Sequence, residues 1–287
     1  MQARHESSGP DDEAYDRSLG EELVDDIADL PQSPVSVGAT FDLALLHAQV
    51  RSAVDPDGAL LETWEAVVSA MQVGSALFAM AATSGETVSC RINSAIVTLP
   101  ATGPQGHAHA GSWLTAFWYA VICRDQKRMP QLCEIPLDLL RESQRVGRLE
   151  VDEYVYHWVD VLQTYWLERP GLVDKLTRTL ELSHPDVATV AGADLLNQIL
   201  YQPINLFHRF VTHDTDGYNK ALYAALEYHK TDWTADEDRA EKPSGNVALG
   251  PLAITCLAHD GEFPVDVTSD YLPHHLIQRS WLGEFPT

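Results

Sequence analysis

Apolar residues recur at helical spacing along most of the chain, and short segments with glycine or proline separate these helical stretches. Phe41, Leu45 and Ala48 lie on one face of a helix until the Asp-Pro-Asp-Gly turn at 55–58 interrupts it. A long apolar stretch over 59–83 follows. These patterns predict a mainly α fold, a multi-helix globular bundle.

Near residues 86–99 the period changes from helical to alternating. Val88, Cys90 and Ile92 alternate with polar neighbours, and Asn93-Ser94 offers a turn. This pattern predicts one small β-hairpin. Because an isolated hairpin is only marginally stable in water, we expect it to pack against the helices.

The second half of the chain also reads as a series of helices. Polar residues that can accept hydrogen bonds from the first backbone amides precede several of them, and we expect Ser112, Asp152 and Asp216 to act as N-caps. The apolar stretch from Val247 to His259 predicts another helix, and no repeat of fixed period emerges.

Residues 1–36 differ in composition from the rest. They contain ten acidic and two basic residues, three prolines and few large apolar groups. Little buried surface is available to offset the entropy of ordering such a segment. We therefore expect 1–36 to be an acidic, flexible arm that becomes helical over about 11–30 when a basic partner neutralises it, and 37–287 to form a single helical domain.

The net charge restricts the partners. The 287 residues include 42 Asp and Glu but only 19 Lys and Arg, a formal net charge of −23. Such a field repels phosphate backbones and anionic membranes and attracts basic proteins, so direct nucleic-acid or membrane binding is not expected. The uncharged stretch 66–85 is interpreted as a buried core helix. Four scattered cysteines without a CxxC pair and an acidic N-terminus favour a reducing compartment, the cytoplasm.

No phosphate-binding loop, nucleophile elbow or HExxH helix occurs in the sequence, so no catalytic residue and no cofactor is predicted. The densest group of possible metal ligands is His208, His213, Asp214 and Asp216. Asp214 and Asp216 are better explained as turn and capping residues, and no metal site is assigned.

A second acidic concentration, here called the acidic loop, covers residues 232–241 and contains five acids. Its simplest interpretation is a solvated loop. The functional alternative is a rim for a basic partner, for which Asp232, Asp236, Glu237 and Asp238 are the candidate contact residues.

Five segments carry a family resemblance when taken in order. They are Ser112–Arg124, Asp152–Trp158, Ala225–Trp233, Val247–Ala258 and Ser269–Pro273. Together they resemble successive blocks of the bacterial immunity protein 49 family, and the resemblance covers about 40–280.

Members of that family are expected to be mainly helical proteins that neutralise toxins of polymorphic toxin systems. The resemblance implies that this chain binds a cognate protein toxin, of which a basic nuclease is one class, and it supplies no catalytic residues. The residues of the matching blocks have structural interpretations, with Lys230 and Asp270 expected to form an ion pair. These residues are Trp113, Trp158, His229, Lys230, Trp233, Asp270 and Tyr271.

Two other functions stay open from the sequence. One is a helical scaffold or regulatory binding protein whose partner is not a toxin. The other is a metal-dependent hydrolase that uses the His208–Asp216 cluster. A toxin gene immediately upstream would favour immunity, whereas bound metal and loss of activity on replacing His208 or His213 would favour the hydrolase.

Overall fold

Most of the chain is helical in the computed structural model, which describes residues 3–5, 13–284 and 287. The predicted mainly α fold with one small hairpin is confirmed. The helices are α1 (Glu13–Asp29), α2 (Val37–Val54), α3 (Leu61–Ala82), α4 (Ala110–Ile122), α5 (Arg128–Cys133), α6 (Leu137–Gly147), α7 (Tyr154–Trp166), α8 (Leu172–Leu182), α9 (Ala193–Leu195), α10 (Gln202–Val211), α11 (Thr215–Trp233), α12 (Glu237–Ala240), α13 (Leu249–Asp260) and α14 (His274–Ile277). A π-helical turn, Leu196–Leu200, connects α9 to α10.

The long helix α3 packs against α2 on one side and α4 on the other. Close approach depends on Gly74, where an added Cβ would lie 2.7 Å from the Phe41 ring and 3.0 Å from the Cβ of Ala116. Of the described residues, only this helix is long and apolar enough to cross a membrane. In its most apolar 18-residue window, 72% of the residues are buried, which is the usual state of a core helix.

Aromatic side chains fill the space between α4, α7 and α10. Trp113 stacks on Phe117 with ring centroids 4.8 Å apart, and Trp118 contacts Trp158. Trp158 in turn meets Phe207 edge to face at 5.4 Å. Such offset and edge contacts add to the burial of large apolar areas. Trp113 and Trp158 therefore lie within this aromatic core, and their role as structural motif residues of the family stays a prediction.

The hairpin consists of β1 (Thr87–Ile92) and β2 (Ala95–Pro100), which pair antiparallel with Ile92 opposite Ala95. Asn93 takes a positive φ of 53° in the two-residue turn, a conformation that asparagine tolerates. Gln72 of α3 accepts a hydrogen bond from the Asn93 backbone amide at 2.6 Å, which holds the turn against that helix.

The predicted caps differ from the observed ones. His109, rather than Ser112, caps α4, since its Nδ1 accepts from the Gly111 amide at 3.0 Å. Asp214, rather than Asp216, caps α11. Asp152 accepts hydrogen bonds from three successive amides of 189–191 instead of capping α7. Each polar side chain takes the backbone donors nearest in space, which are not always the next ones in sequence.

The largest difference from the sequence expectation concerns the predicted arm, 1–36. Residues 13–29 form α1, and Leu19, Leu23 and Ile27 are buried against the body, followed by Leu30. Leu19, Leu23 and Ile27 recur at i, i+4 and i+8, so one narrow stripe suffices to attach the helix, while most of its acids, though not the buried Asp16, point outward. Residues 1–2 and 6–12 of the predicted arm lie outside the described residues.

Candidate partner-binding surfaces

The acidic loop satisfies much of its charge internally. Asp232 is only 4% exposed and accepts a hydrogen bond from the Arg239 guanidinium at 2.8 Å. Asp236 caps α12 through the Arg239 amide and lies 3.3 Å from the guanidinium as well. Glu237 and Asp238 are exposed. Of the four predicted contact residues, Asp232 is therefore buried as a structural acid, and whether the other three touch a partner stays a prediction.

A second and larger acidic surface lies between α1 and α3. We call it the α1–α3 groove, and its volume is about 990 Å³. One wall is α1, and the other combines the start of α3 with the hairpin turn. The lining residues are Glu13, Asp16, Arg17, Gly20, Glu21, Leu23, Val24, His47, Arg51, Leu60, Glu62, Glu65, Ala66, Val68, Ser69, Arg91, Asn93 and Ser94.

A buried polar network forms part of the groove floor. Asp16 of α1 accepts a hydrogen bond from the Arg51 guanidinium at 2.7 Å, and both side chains are almost fully buried. The Arg51 Nε also donates to the Thr63 hydroxyl, which donates to Asp55. Because a buried charge needs its partners, this network joins α1, α2 and α3 at fixed positions.

His47 completes the floor, with its Nε2 atom 3.3 Å from Asp16. Burial lowers the pKa of the His47 imidazole from its ordinary value, and the nearby Arg51 acts in the same direction. The Asp16 carboxylate opposes this shift. His47 is thus held mainly neutral near pH 7 and contributes hydrogen-bonding capacity rather than positive charge.

The rim of the groove is predominantly acidic. Four exposed glutamates lie on it, two from α1 and two from α3, against Arg17 and the partly exposed Arg91. The glutamates are Glu13, Glu21, Glu62 and Glu65. Apolar area is exposed among these charges, with Val24 57% and Leu60 46% accessible. An apolar strip bordered by acid is the arrangement that receives an amphipathic, basic protein segment.

The acidic loop is predicted from the sequence, but the groove is not. The four rim glutamates come from two segments that are far apart in the sequence, and two of them lie in the predicted flexible arm. The available indication was the spacing of Leu19, Leu23 and Ile27, which predicts a helix with a buried stripe. Nothing in the sequence alone places α1 opposite Glu62 and Glu65.

The aromatic motif residues near the end of α11 form a buried cluster with the C-terminal segment. His229 Nε2 donates to the Gly245 carbonyl at 2.9 Å, and the His229 ring meets Tyr271 edge to face at 4.8 Å. Burial lowers the pKa of His229 to about 4. Trp233 borders the same cluster and packs against His229 and Gly245. These residues are packed together, and their role as structural motif residues of the family stays a prediction.

The expected ion pair between Lys230 and Asp270 does not form. Lys230 Nζ donates to the Ala3 carbonyl at 3.3 Å, and Asp270 accepts from the Arg4 backbone amide at 3.2 Å. His5 follows, with its Nδ1 2.8 Å from the Tyr271 hydroxyl. Lys230 and Asp270 therefore each contact residues 3–5 instead of each other. Residues 3–5 are more than 220 positions away in the sequence, so this contact was not predicted.

Trp113 anchors α4 at the centre of the molecule. It is fully buried, and its indole N–H donates to the Leu132 carbonyl at 2.8 Å. This bond leaves the large apolar ring in the core without an unsatisfied donor.

The His208–Asp216 cluster has a structural arrangement. Asp214 accepts from the Gly217 amide at 2.9 Å with one carboxylate oxygen and from Arg209 at 2.6 Å with the other. His213 takes a positive φ of 55° in the turn before α11. Within 3–5, 13–284 and 287, no three His, Cys, Asp or Glu side chains are placed to hold a metal ion.

The cysteines are all free, and three of them are buried. Burial raises the pKa of Cys123 and Cys133, and raises that of Cys256 to about 11. Thiols in such surroundings stay protonated and behave as small apolar groups.

Comparison with known proteins gives one positive result. No curated protein and no solved structure matches the chain. A family model described as Immunity protein 49 matches residues 55–276, which include the α3 wall of the groove, the acidic loop and the His229–Tyr271 cluster, but not α1 or α2. The chain belongs to the immunity protein 49 family.

Proposed function

We propose that this chain protects its cell by binding a cognate protein toxin and blocking it, without enzymatic chemistry of its own. The observation that carries the proposal is the match of 55–276 to a family of immunity proteins. Stoichiometric binding requires an exposed surface rather than a catalytic centre, and the open, acidic α1–α3 groove supports the proposal.

The charge of the chain favours a basic toxin. A net charge of −23 accelerates encounter with a positively charged protein and disfavours direct contact with nucleic acid. A nuclease is one class of toxin with the required basic surface, because it must bind phosphate backbones itself. The proposed place of action is the cytoplasm of the producing cell, where such a toxin would meet its substrate.

Co-expression with the product of a toxin gene that lies next to the gene of this chain tests the proposal. We expect the cells to survive and the two proteins to purify together in fixed stoichiometry. Survival without a complex would replace the binding mechanism by an enzymatic one that modifies the toxin or repairs its damage. Death of the cells, with the toxin shown to be active, would refute immunity for that pair and favour a scaffold or regulatory role.

A further inference from the structure

We propose that the α1–α3 groove is the toxin-binding site, that it receives a basic, amphipathic protein segment, and that α1 is the specificity-determining wall. This inference rests on the proposed function, and it identifies the surface that performs it. The acidic loop, to which the sequence pointed, contributes little to binding.

The first argument is the shape of the groove. Its volume of about 990 Å³ lies between two walls, and Val24 and Leu60 expose apolar surface along it above the buried side chains of Leu23, Ala66 and Val68. Val24 is 57% exposed although it occupies a well-formed helix next to buried Leu23. Interfaces place such apolar groups at their centre and surround them with polar groups.

The second argument is charge complementarity. Glu13 and Glu21 project from one wall and Glu62 and Glu65 from the other, so a segment between them would meet acid on both sides. Arg17 and Arg91 are the basic residues of the rim and leave an excess of two negative charges. A segment with lysines or arginines along its edges and an apolar face fits these walls.

The third argument is that α1 carries its acids at a cost to its own stability. Glu21 and Asp25, and Asp25 and Asp29, are like-charge pairs at i,i+4, each of which destabilises a helix. Asp26 and Asp29 also lie in the last turn, where the helix dipole disfavours negative charge, and that turn contains no basic residue. Of these acids Glu21 lines the groove, so cations of a bound partner would relieve its repulsion with Asp25.

The fourth argument is that the walls are fixed before binding. The buried Asp16–Arg51 contact and the apolar stripe of α1 hold this helix against α2. A preorganised groove loses less entropy on binding than a flexible arm that folds onto its partner. The α3 wall lies within the residues that match the family, whereas α1 lies outside them.

The test compares two charge reversals of equal size. The first variant carries Glu21→Lys and Glu65→Lys, one on each wall of the groove. The matched control carries Glu237→Lys and Asp238→Lys in the acidic loop, and all four positions are exposed. Binding of each variant to the purified product of the neighbouring toxin gene is measured by calorimetry at low and high salt, after circular dichroism has shown that the variant is folded.

We expect the groove variant to bind about 100-fold more weakly than the unmodified chain and the loop variant to stay within about 5-fold of it. A second measurement does not depend on charge: a photo-crosslinking residue at position 24 should crosslink to the toxin. One at position 173, a helical valine that is more exposed (76% against 57%), should not. Position 24 keeps the groove testable even if the double variant does not fold.

The outcomes separate this proposal from the proposed function. If the unmodified chain binds and rescues while the groove variant does the same, and position 24 does not crosslink, the groove assignment is overturned and immunity stands. If the unmodified chain neither binds nor rescues, both are overturned. A dimer of the free chain that is abolished by the groove variant would show that the groove receives a second copy instead.

Discussion

The two acidic surfaces of this protein have similar composition but different internal compensation. In the acidic loop, Arg239 contacts both Asp232 and Asp236, and Asp236 also caps α12. In the α1–α3 groove, the one strongly compensated acid is Asp16, which faces Arg51 at the floor. The rim glutamates extend into solvent. A concentration of acidic residues in a sequence therefore indicates a binding surface only if those residues are not already paired with basic groups or backbone amides of the fold.

The largest expected effect comes from a comparison of the buried Asp16–Arg51 contact with the exposed Asp236–Arg239 contact, which we expect to differ in their contribution to stability. Asp16→Asn leaves the guanidinium of Arg51 buried without its carboxylate, and we expect a loss of about 3–5 kcal/mol in the free energy of unfolding. Asp236→Asn removes a largely exposed contact and keeps a good capping residue, so we expect less than about 1 kcal/mol. Urea unfolding at pH 7 measures both, and equal losses would remove the distinction between the two surfaces.

The next prediction tests whether α1 is a fixed wall. Leu23→Ala empties a buried site at the edge of the core and should cost about 2–3 kcal/mol. Val24→Ala, one residue later but exposed to the groove, should change the stability by less than about 0.5 kcal/mol. Amide hydrogen exchange over 13–29 should accelerate in the first variant only. Rapid exchange of this helix in the unmodified chain would restore the flexible-arm interpretation.

An intermediate effect concerns pH and the end of α11 near the acidic loop. His229 is neutral in the folded state, with a pKa of about 4, whereas the unfolded chain takes up a proton on this residue near its ordinary pKa of 6.5. The unfolded state then binds more protons, so stability falls as the pH drops from 6.5 to 4 and this contribution levels off below 4.

The corresponding slope is about 1.4 kcal/mol per pH unit for one histidine. His229→Gln keeps an N–H donor for Gly245 and should reduce the slope of unfolding free energy against pH by about that amount over this range. His47→Gln, on the groove side, should reduce it less, because Asp16 opposes the lowering of the His47 pKa. An unchanged slope in His229→Gln would contradict the buried neutral histidine.

The smallest effect has opposite signs on the two surfaces. Neutralising Glu21 and Asp25 relieves an i,i+4 repulsion in α1 and should raise stability by a few tenths of a kcal/mol at low salt. Neutralising Glu237 and Asp238 removes favourable charges from the first turn of α12 and should lower stability by a similar small amount. Thermal unfolding at low and at about 1 M salt checks this, since screening should abolish both changes.

Local patterns predicted the elements of this fold well because each depends on neighbours in sequence. The long helix over 59–83 and the hairpin near 86–99 are present within two residues of the predicted bounds. The position of α1 was missed, because three buried residues among ten acids do not by themselves specify a docking partner. The three amides that meet Asp152 lie 37 residues or more away, so no local pattern could assign them.

The class of partner could be predicted from the sequence, but the location of the candidate site could not. The family implies that the chain binds a cognate toxin, and the net charge is the ground on which we propose that this toxin is basic. Both are properties of the chain as a whole. The groove requires the juxtaposition of Glu21 with Glu65, which depends on how α1 crosses α2. In the same way, Lys230 and Asp270 were expected to pair with each other, and both instead contact residues 3–5.

The attachment of α1 has an evolutionary consequence. Its inner face is fixed by Leu19, Leu23, Ile27 and Asp16, and its outer residues take no part in the core. Substitutions on the outer face can therefore accumulate without loss of core packing, and under the proposed function a small number of them would alter which toxin is neutralised. Under the same proposal, grafting the outer residues of this 17-residue helix onto another member of the family would transfer resistance while the receiving scaffold stays folded.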